Sequence, residues 1–98
     1  MSTQQNTASP VKAIVNEIET AFVGWYILSN GWEVYLTEEF DDEGYASALV
    51  CGAENEFGSV SLEEHKPYIV TKCLGDIFFN EVKEGNLAPP INGKWLLQ

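Results

Sequence analysis

The chain has 98 residues, enough for one small domain. Apolar residues make up 45% of it and aromatics 12%, so burial can offset the entropy of ordering, and the chain is not a disordered tail. Its acids number 15 against 5 lysines and no arginine, a formal charge of -10, which argues against a protein that holds nucleic acid through its phosphates.

Residues 1–9 are polar, with neither the basic start nor the apolar run of a signal peptide. They read as a flexible segment before a single domain over residues 10–98. Ser9-Pro10 has the chemistry of a helix start, since Ser caps free amides and Pro suits the first helical position. Val11, Ile14, Val15, Ile18, Ala21 and Phe22 then fall on one helical face, and Gly24 is a natural stop. The spacing predicts an N-terminal helix.

Trp25-Tyr26-Ile27-Leu28-Ser29 and Trp32-Glu33-Val34-Tyr35-Leu36-Thr37 flank Asn30-Gly31, the preferred two-residue hairpin turn. That turn pairs Ser29 with Trp32, Ile27 with Val34 and Tyr26 with Tyr35. Trp25, Ile27, Trp32, Val34 and Leu36 then share a core face, and Tyr26, Leu28, Glu33 and Tyr35 share the other. Glu38 to Gly44 reads as an acidic loop, Tyr45 to Cys51 as a third strand, and Glu56 to Ser61 as a fourth. Short connections make these strands an antiparallel meander.

Ser61-Leu62-Glu63-Glu64 has capping-box spacing. Ile69-Val70-Thr71 favours a strand by propensity, yet Val70, Cys73, Leu74, Ile77, Phe78 and Val82 keep helical spacing. The spacing predicts a helix from about Pro67 to Glu84, weakened at Gly75 and stopped at Gly85. Trp95-Leu96-Leu97 suggests a short terminal strand. The expected class is α+β: an N-terminal helix, a four-stranded antiparallel meander, a C-terminal helix and that strand.

Between Lys12 and Lys66 there is no basic residue and there are twelve acids. From Lys66 onward there are four lysines and three acids. The bland reading of such a run is a solvated surface that keeps molecules apart. The sharper reading is a surface made for a basic protein groove, standing in for nucleic-acid phosphate in an encounter that is steered and salt-sensitive. The candidate partner-binding residues are Glu38, Glu39, Asp41, Asp42, Glu43, Glu54, Glu56, Glu63 and Glu64. Tyr26 and Tyr35 join them as an aromatic interface core, if the second hairpin face is open to solvent.

Catalytic chemistry has little to build on. His65 is the only histidine, and Cys51 and Cys73 lie on apolar segments without an oxyanion-type glycine signature. The two cysteines form no CxxC pair and read as reduced thiols of a cytoplasmic protein. The acidic run lacks the alternating ligands and central Gly of a calcium loop. There is no P-loop, no GxGxxG and no zinc constellation. A non-enzyme without metal or cofactor is expected. No stretch reaches the roughly 18 apolar residues of a membrane span.

Tyr35-Leu36-Thr37-Glu38, Leu49-Val50-Cys51-Gly52-Ala53-Glu54-Asn55-Glu56-Phe57-Gly58 and Ser61-Leu62-Glu63-Glu64 together resemble a family of small uncharacterised proteins on conjugative plasmids and related mobile elements. The resemblance covers roughly a third of the chain and rests on the spacing Y-x-T-E, then L-V-x-G-x-E-x-E-x-G-x-x-S-L-x-E. It implies an accessory protein of a plasmid, phage or integrated element in a bacterium, a class that often inhibits host defence or host enzymes. The first function expected is therefore a non-catalytic inhibitor of a nucleic-acid-handling host protein, acting by nucleic-acid mimicry. The second is an assembly module, homodimeric through the hairpin face or a sheet edge.

Overall fold

The structure, a computed structural model, describes residues 10–97. The expected flexible segment over residues 1–9, with the Ser9 cap, lies outside the described residues. Among the described residues, eight strands form two antiparallel sheets. The smaller has the order β2-β1-β8, from β1 (Val11–Val15), β2 (Ile18–Phe22) and β8 (Lys94–Leu96). The larger has the order β6-β5-β4-β3-β7, from β3 (Gly24–Leu28), β4 (Glu33–Leu36), β5 (Tyr45–Cys51), β6 (Asn55–Ser61) and β7 (Ile69–Leu74). Two short helices complete it, α1 (Leu62–His65) and α2 (Asp76–Lys83), with a 3-10 turn at Lys66–Tyr68.

The expected architecture is overturned at both helices and in the sheet. Residues 11–22 are a hairpin, not an N-terminal helix. Val11, Ala13 and Val15 are buried in strict alternation, while Ile14 and Ile18, members of the supposed helical stripe, are exposed. The turn is Asn16-Glu17, both with positive φ of 53° and 67°. Two such residues match the right-handed twist of a tight hairpin, although Glu17 there costs about 1 kcal/mol. The four expected strands of the meander do not make up the sheet alone: β7 adds to the β3 edge to give five strands, and a second, three-stranded sheet packs against it. The single helix expected over 67–84 is a 3-10 turn, strand β7 and helix α2, broken at Gly75 with φ +61°. β-branched Ile69-Val70-Thr71 prevails over the helical spacing because β3 offers a ladder partner through Leu74. The helix is real only where Phe78 and Val82 stack one turn apart, and Gly85, with φ +82°, ends it.

The β3–β4 hairpin has a different register from the expected one. Its loop holds three residues, Ser29-Asn30-Gly31, with Gly31 at φ +92°. Leu28 N–H donates to Trp32 O at 2.8 Å, and Trp32 N–H to the Asn30 side chain at 2.9 Å. Trp25 therefore faces Tyr35, and Tyr26 faces Val34. A slip of one residue turns every β4 side chain to the other face.

Both faces of the large sheet are apolar, and both are covered. On one face the row Cys73, Trp25, Tyr35, Leu49 packs against Val11, Ala13, Val15 and Phe22 of the small sheet and against Phe78 and Val82 of α2. Phe22 meets Tyr35 edge-on at 5.8 Å and Trp95 at 6.3 Å. The opposite face holds Tyr26, Val34, Leu36, Ala46, Ala48 and Val60, covered by Phe40 and Ile69. Strands β6 and β7 run parallel at opposite edges, so α1 and the 3-10 turn carry the chain across this second face.

Strand alternation in residues 11–22 makes a sharp mutational contrast. Val15→Thr, which swaps a buried methyl for a hydroxyl of the same shape, should cost about 1–3 kcal/mol. Ile18→Thr, on the exposed flank, should stay within about 0.5 kcal/mol of the parent. Urea unfolding of both variants checks it, and a helix would penalise both positions.

Candidate functional site

Helix-free sequence between β4 and β5 carries the acidic run, and its own carboxylates fix its shape. Asp41 Oδ1 accepts from the backbone N–H of Glu43 and of Tyr45, each at 2.9 Å. Glu38 Oε2 accepts from Ser47 N–H at 2.8 Å. Phe40 turns inward and stacks on Tyr26, with ring centroids 6.5 Å apart. Glu39, Asp42 and Glu43 are left pointing to solvent. Within the run, Glu38 and Asp41 are occupied in holding the loop, which sequence spacing does not reveal.

The other acids surround the same side of the sheet. Glu63 and Glu64 sit in α1, where Ser61 Oγ accepts from Glu64 N–H at 3.3 Å, the expected cap. Leu62 N–H donates to Gly44 O at 2.8 Å, which ties the start of α1 to the acidic loop. Glu54 lies at the far end, in the β5–β6 turn, and Glu56 lies on β6 itself. The two ends of β6 are about 20 Å apart at strand rise. The carboxylates thus form a surround of the β5–β6 ribbon, not one compact cluster. The one ion pair among the described residues is Lys12–Glu19 at 3.4 Å, exposed and on the small sheet. Lys72, Lys83 and Lys94 lie on β7, α2 and β8, away from the β6 edge, and Lys66 directly follows α1 without an ion pair to its acids.

Tyr26 and Tyr35 do not form a shared exposed face. They point to opposite sides of the sheet and are 1% and 3% exposed. Tyr35 O–H lies 3.1 Å from Glu33 Oε1 and 3.1 Å from Ala88 O, and Trp25 Nε1–H donates to the same Glu33 oxygen at 2.9 Å. Burial, then the neighbouring Glu33 charge, pushes the Tyr35 phenol well above its ordinary range. Glu33, expected on the second hairpin face with Tyr26 and Leu28, is instead the polar anchor of the main core. Tyr26 O–H lies 2.6 Å from His65 Nδ1, and burial raises its pKa to about 12.

The structure does not bring the two cysteines and His65 together. Cys51 and Cys73 point to the face that packs on the small sheet, whereas His65 covers the opposite face. Burial raises the pKa of both thiols, with nearby Glu33 adding at Cys51 and Glu81 at Cys73, so their thiolates are disfavoured. The two thiols are unbonded and stand on strands separated by β3 and β4, too far apart for a bridge. Among the described residues no three His, Cys, Asp or Glu side chains are grouped to hold a metal ion. A shallow groove lies beside His65, lined by Leu28, Trp32, Glu64 and Tyr68. No helix of the described residues is long and apolar enough to cross a membrane.

The chain matches no family model, no curated protein and no solved structure.

Tyrosine burial has a pH signature. The Tyr26 pKa is raised in the folded state from an ordinary 10.0 to about 12. The folded chain then holds protons that the unfolded chain has lost, so stability is level below the unfolded value and falls as pH rises from about 10 toward 12. Urea midpoints should drop across that window, and Tyr26→Phe should flatten part of the drop. An unchanged slope in Tyr26→Phe would place the phenol in solvent.

Proposed function

We propose that this protein is a non-catalytic acidic binding protein of a mobile genetic element. It works in the bacterial cytoplasm and inhibits a nucleic-acid-handling host protein by occupying its basic groove. The observation that carries the reading is the unneutralised surround of the β5–β6 ribbon. Glu39, Asp42, Glu43, Glu54, Glu56, Glu63 and Glu64 are exposed or half-buried there, and none is in an ion pair with a lysine. Carboxylates in the described part of the chain hold the loop shape themselves, so the negative groups stand in a set arrangement before any partner arrives. Self-repulsion among them lowers stability, and a cationic partner relieves it.

Specificity follows from position more than from total charge. A partner reads Asp42 and Glu43 at one end of the ribbon and Glu54 at the other, about 20 Å apart, which is several phosphate spacings of duplex DNA. The encounter is expected to be fast at low salt and to weaken as salt screens it. The aromatic pair Tyr26/Tyr35 takes no part in this interface, because both rings are in the core. Assembly through that hairpin face is dropped for the same reason.

The test is affinity capture from a bacterial lysate, using the parent and the variant Asp42→Asn/Glu43→Gln/Glu63→Gln/Glu64→Gln. These four positions leave the loop-holding Glu38 and Asp41 intact. The expected result is capture of a nucleic-acid-binding protein at low salt, displaced by added duplex DNA or RNA and lost in the variant. A captured set that neither the variant nor added nucleic acid alters contradicts the reading.

A further inference from the structure

We propose that strand β6 is a docking edge, which takes an extended basic segment of the partner as a sixth strand of the large sheet. This rests on the acidic-binding reading above and specifies how the partner is held.

Sheet edges are usually blunted by prolines, lysines, bulges or short length. The β7 and β8 edges carry such devices. β8 has only three residues and follows Pro89-Pro90. β7 begins after Pro67, carries Lys72, and has a register shift where it pairs with Ile27/Leu28. The β2 edge of the small sheet carries none of them, but it is shorter than β6, and its Glu19 is already paired with Lys12. β6 has none of these. It runs seven residues, pairs with β5 in unbroken register from Tyr45↔Ser61 to Cys51↔Asn55, and is exposed from Asn55 through Ser59.

The hydrogen bonds at its two ends show which backbone groups face outward. Gly52 N–H donates to Glu54 O at 3.2 Å, and Leu62 N–H donates to Gly44 O at 2.8 Å. Both bonds use even-numbered residues of the β6 segment. Bonded pairs alternate in an antiparallel ladder, so Glu56, Gly58 and Val60 turn their backbone groups toward β5. Asn55, Phe57 and Ser59 therefore present N–H and C=O groups to the open edge.

Side chains along that edge specify the incoming strand. The row Cys73, Trp25, Tyr35, Leu49 runs across the sheet and ends at Phe57, which is 59% exposed. A sixth strand extends that row with an apolar residue. On the other face, the row through Tyr26, Val34 and Val50 ends at Glu56, with Glu54 beyond it, and calls for a cation. The segment that fits alternates basic and apolar residues, the strand-addition mode of peptide recognition. Charge also argues against a second copy of this chain. A copy paired antiparallel about Phe57 sets Glu56 diagonal to its own equivalent and joins two molecules of formal charge -10.

The experiment uses fluorescence anisotropy at low salt with a labelled heptapeptide of alternating Lys and Val. A twin peptide, N-methylated at alternate residues, keeps the charge but cannot pair. A protein variant, Ser59→Pro, removes one outward N–H at an edge site where proline is tolerated. The unmodified peptide should bind the parent, and both the twin and Ser59→Pro should weaken binding by about tenfold or more. Circular dichroism checks the fold of Ser59→Pro, and if that variant unfolds, the twin peptide decides. Equal binding of twin and parent peptides overturns the edge and leaves the acidic reading standing. No binding of either peptide also overturns the edge, while the lysate capture separately judges the acidic reading. A concentration-dependent dimer in sedimentation, abolished by Ser59→Pro, gives the edge to a second copy and overturns the basic occupant.

Discussion

Everything in this fold depends on the register of the β3–β4 hairpin. The Ser29-Asn30-Gly31 loop sets Trp25 opposite Tyr35 and Tyr26 opposite Val34. With that register both faces of the large sheet become apolar, and neither can stay wet. The small sheet and α2 close one side over Trp25, Tyr35 and Leu49. The acidic loop and the α1 crossing close the other over Tyr26, Val34 and Leu36.

The same packing explains how a highly charged loop can be ordered. Phe40 lies in the middle of the run Glu38-Glu39-Phe40-Asp41-Asp42-Glu43 and is drawn onto the Tyr26 ring. That one apolar anchor brings Glu38 and Asp41 within reach of backbone N–H groups on β5 and at its approach. The remaining acids are pushed outward as a consequence. Structure and charge display are thus coupled: the residues that cover the second core are neighbours in sequence of those that face solvent. Most of the acids that reach solvent between β4 and α1 lie around β5 and β6, whereas Lys72, Lys83 and Lys94 lie on β7, α2 and β8.

Legibility of the sequence varied with how local the deciding signal was. The strand over Tyr45–Cys51 and the Ser61 cap depend on neighbouring residues, and both are where the pattern puts them. Residues 11–22 satisfy helical and alternating spacing together, and only the pairing of Val11–Val15 with both β2 and β8 separates the two. The turn signal there is Asn16-Glu17, which lacks the glycine that marks Asn30-Gly31. In the β3–β4 hairpin the glycine was visible, but the extra loop residue Ser29 was not, and one residue inverts β4. At the candidate site the acids were easy to count. Their division into loop-holding Glu38 and Asp41 and free Asp42 and Glu43 was hidden, because it depends on where backbone N–H groups converge. The open edge at β6 was hidden too, since strand order is a property of the whole chain.

The acidic loop is held in one shape by Phe40, Asp41 and Glu38, and so presents its free carboxylates in a fixed arrangement. Amide hydrogen exchange of Tyr45 and Ser47 in the free protein, read by NMR, tests this most directly. Both amides should be slowed by about tenfold or more relative to an unstructured peptide, because each donates to a carboxylate of the loop. Exchange of both at the unstructured rate would contradict the account, since the loop would then have no set shape to offer a partner.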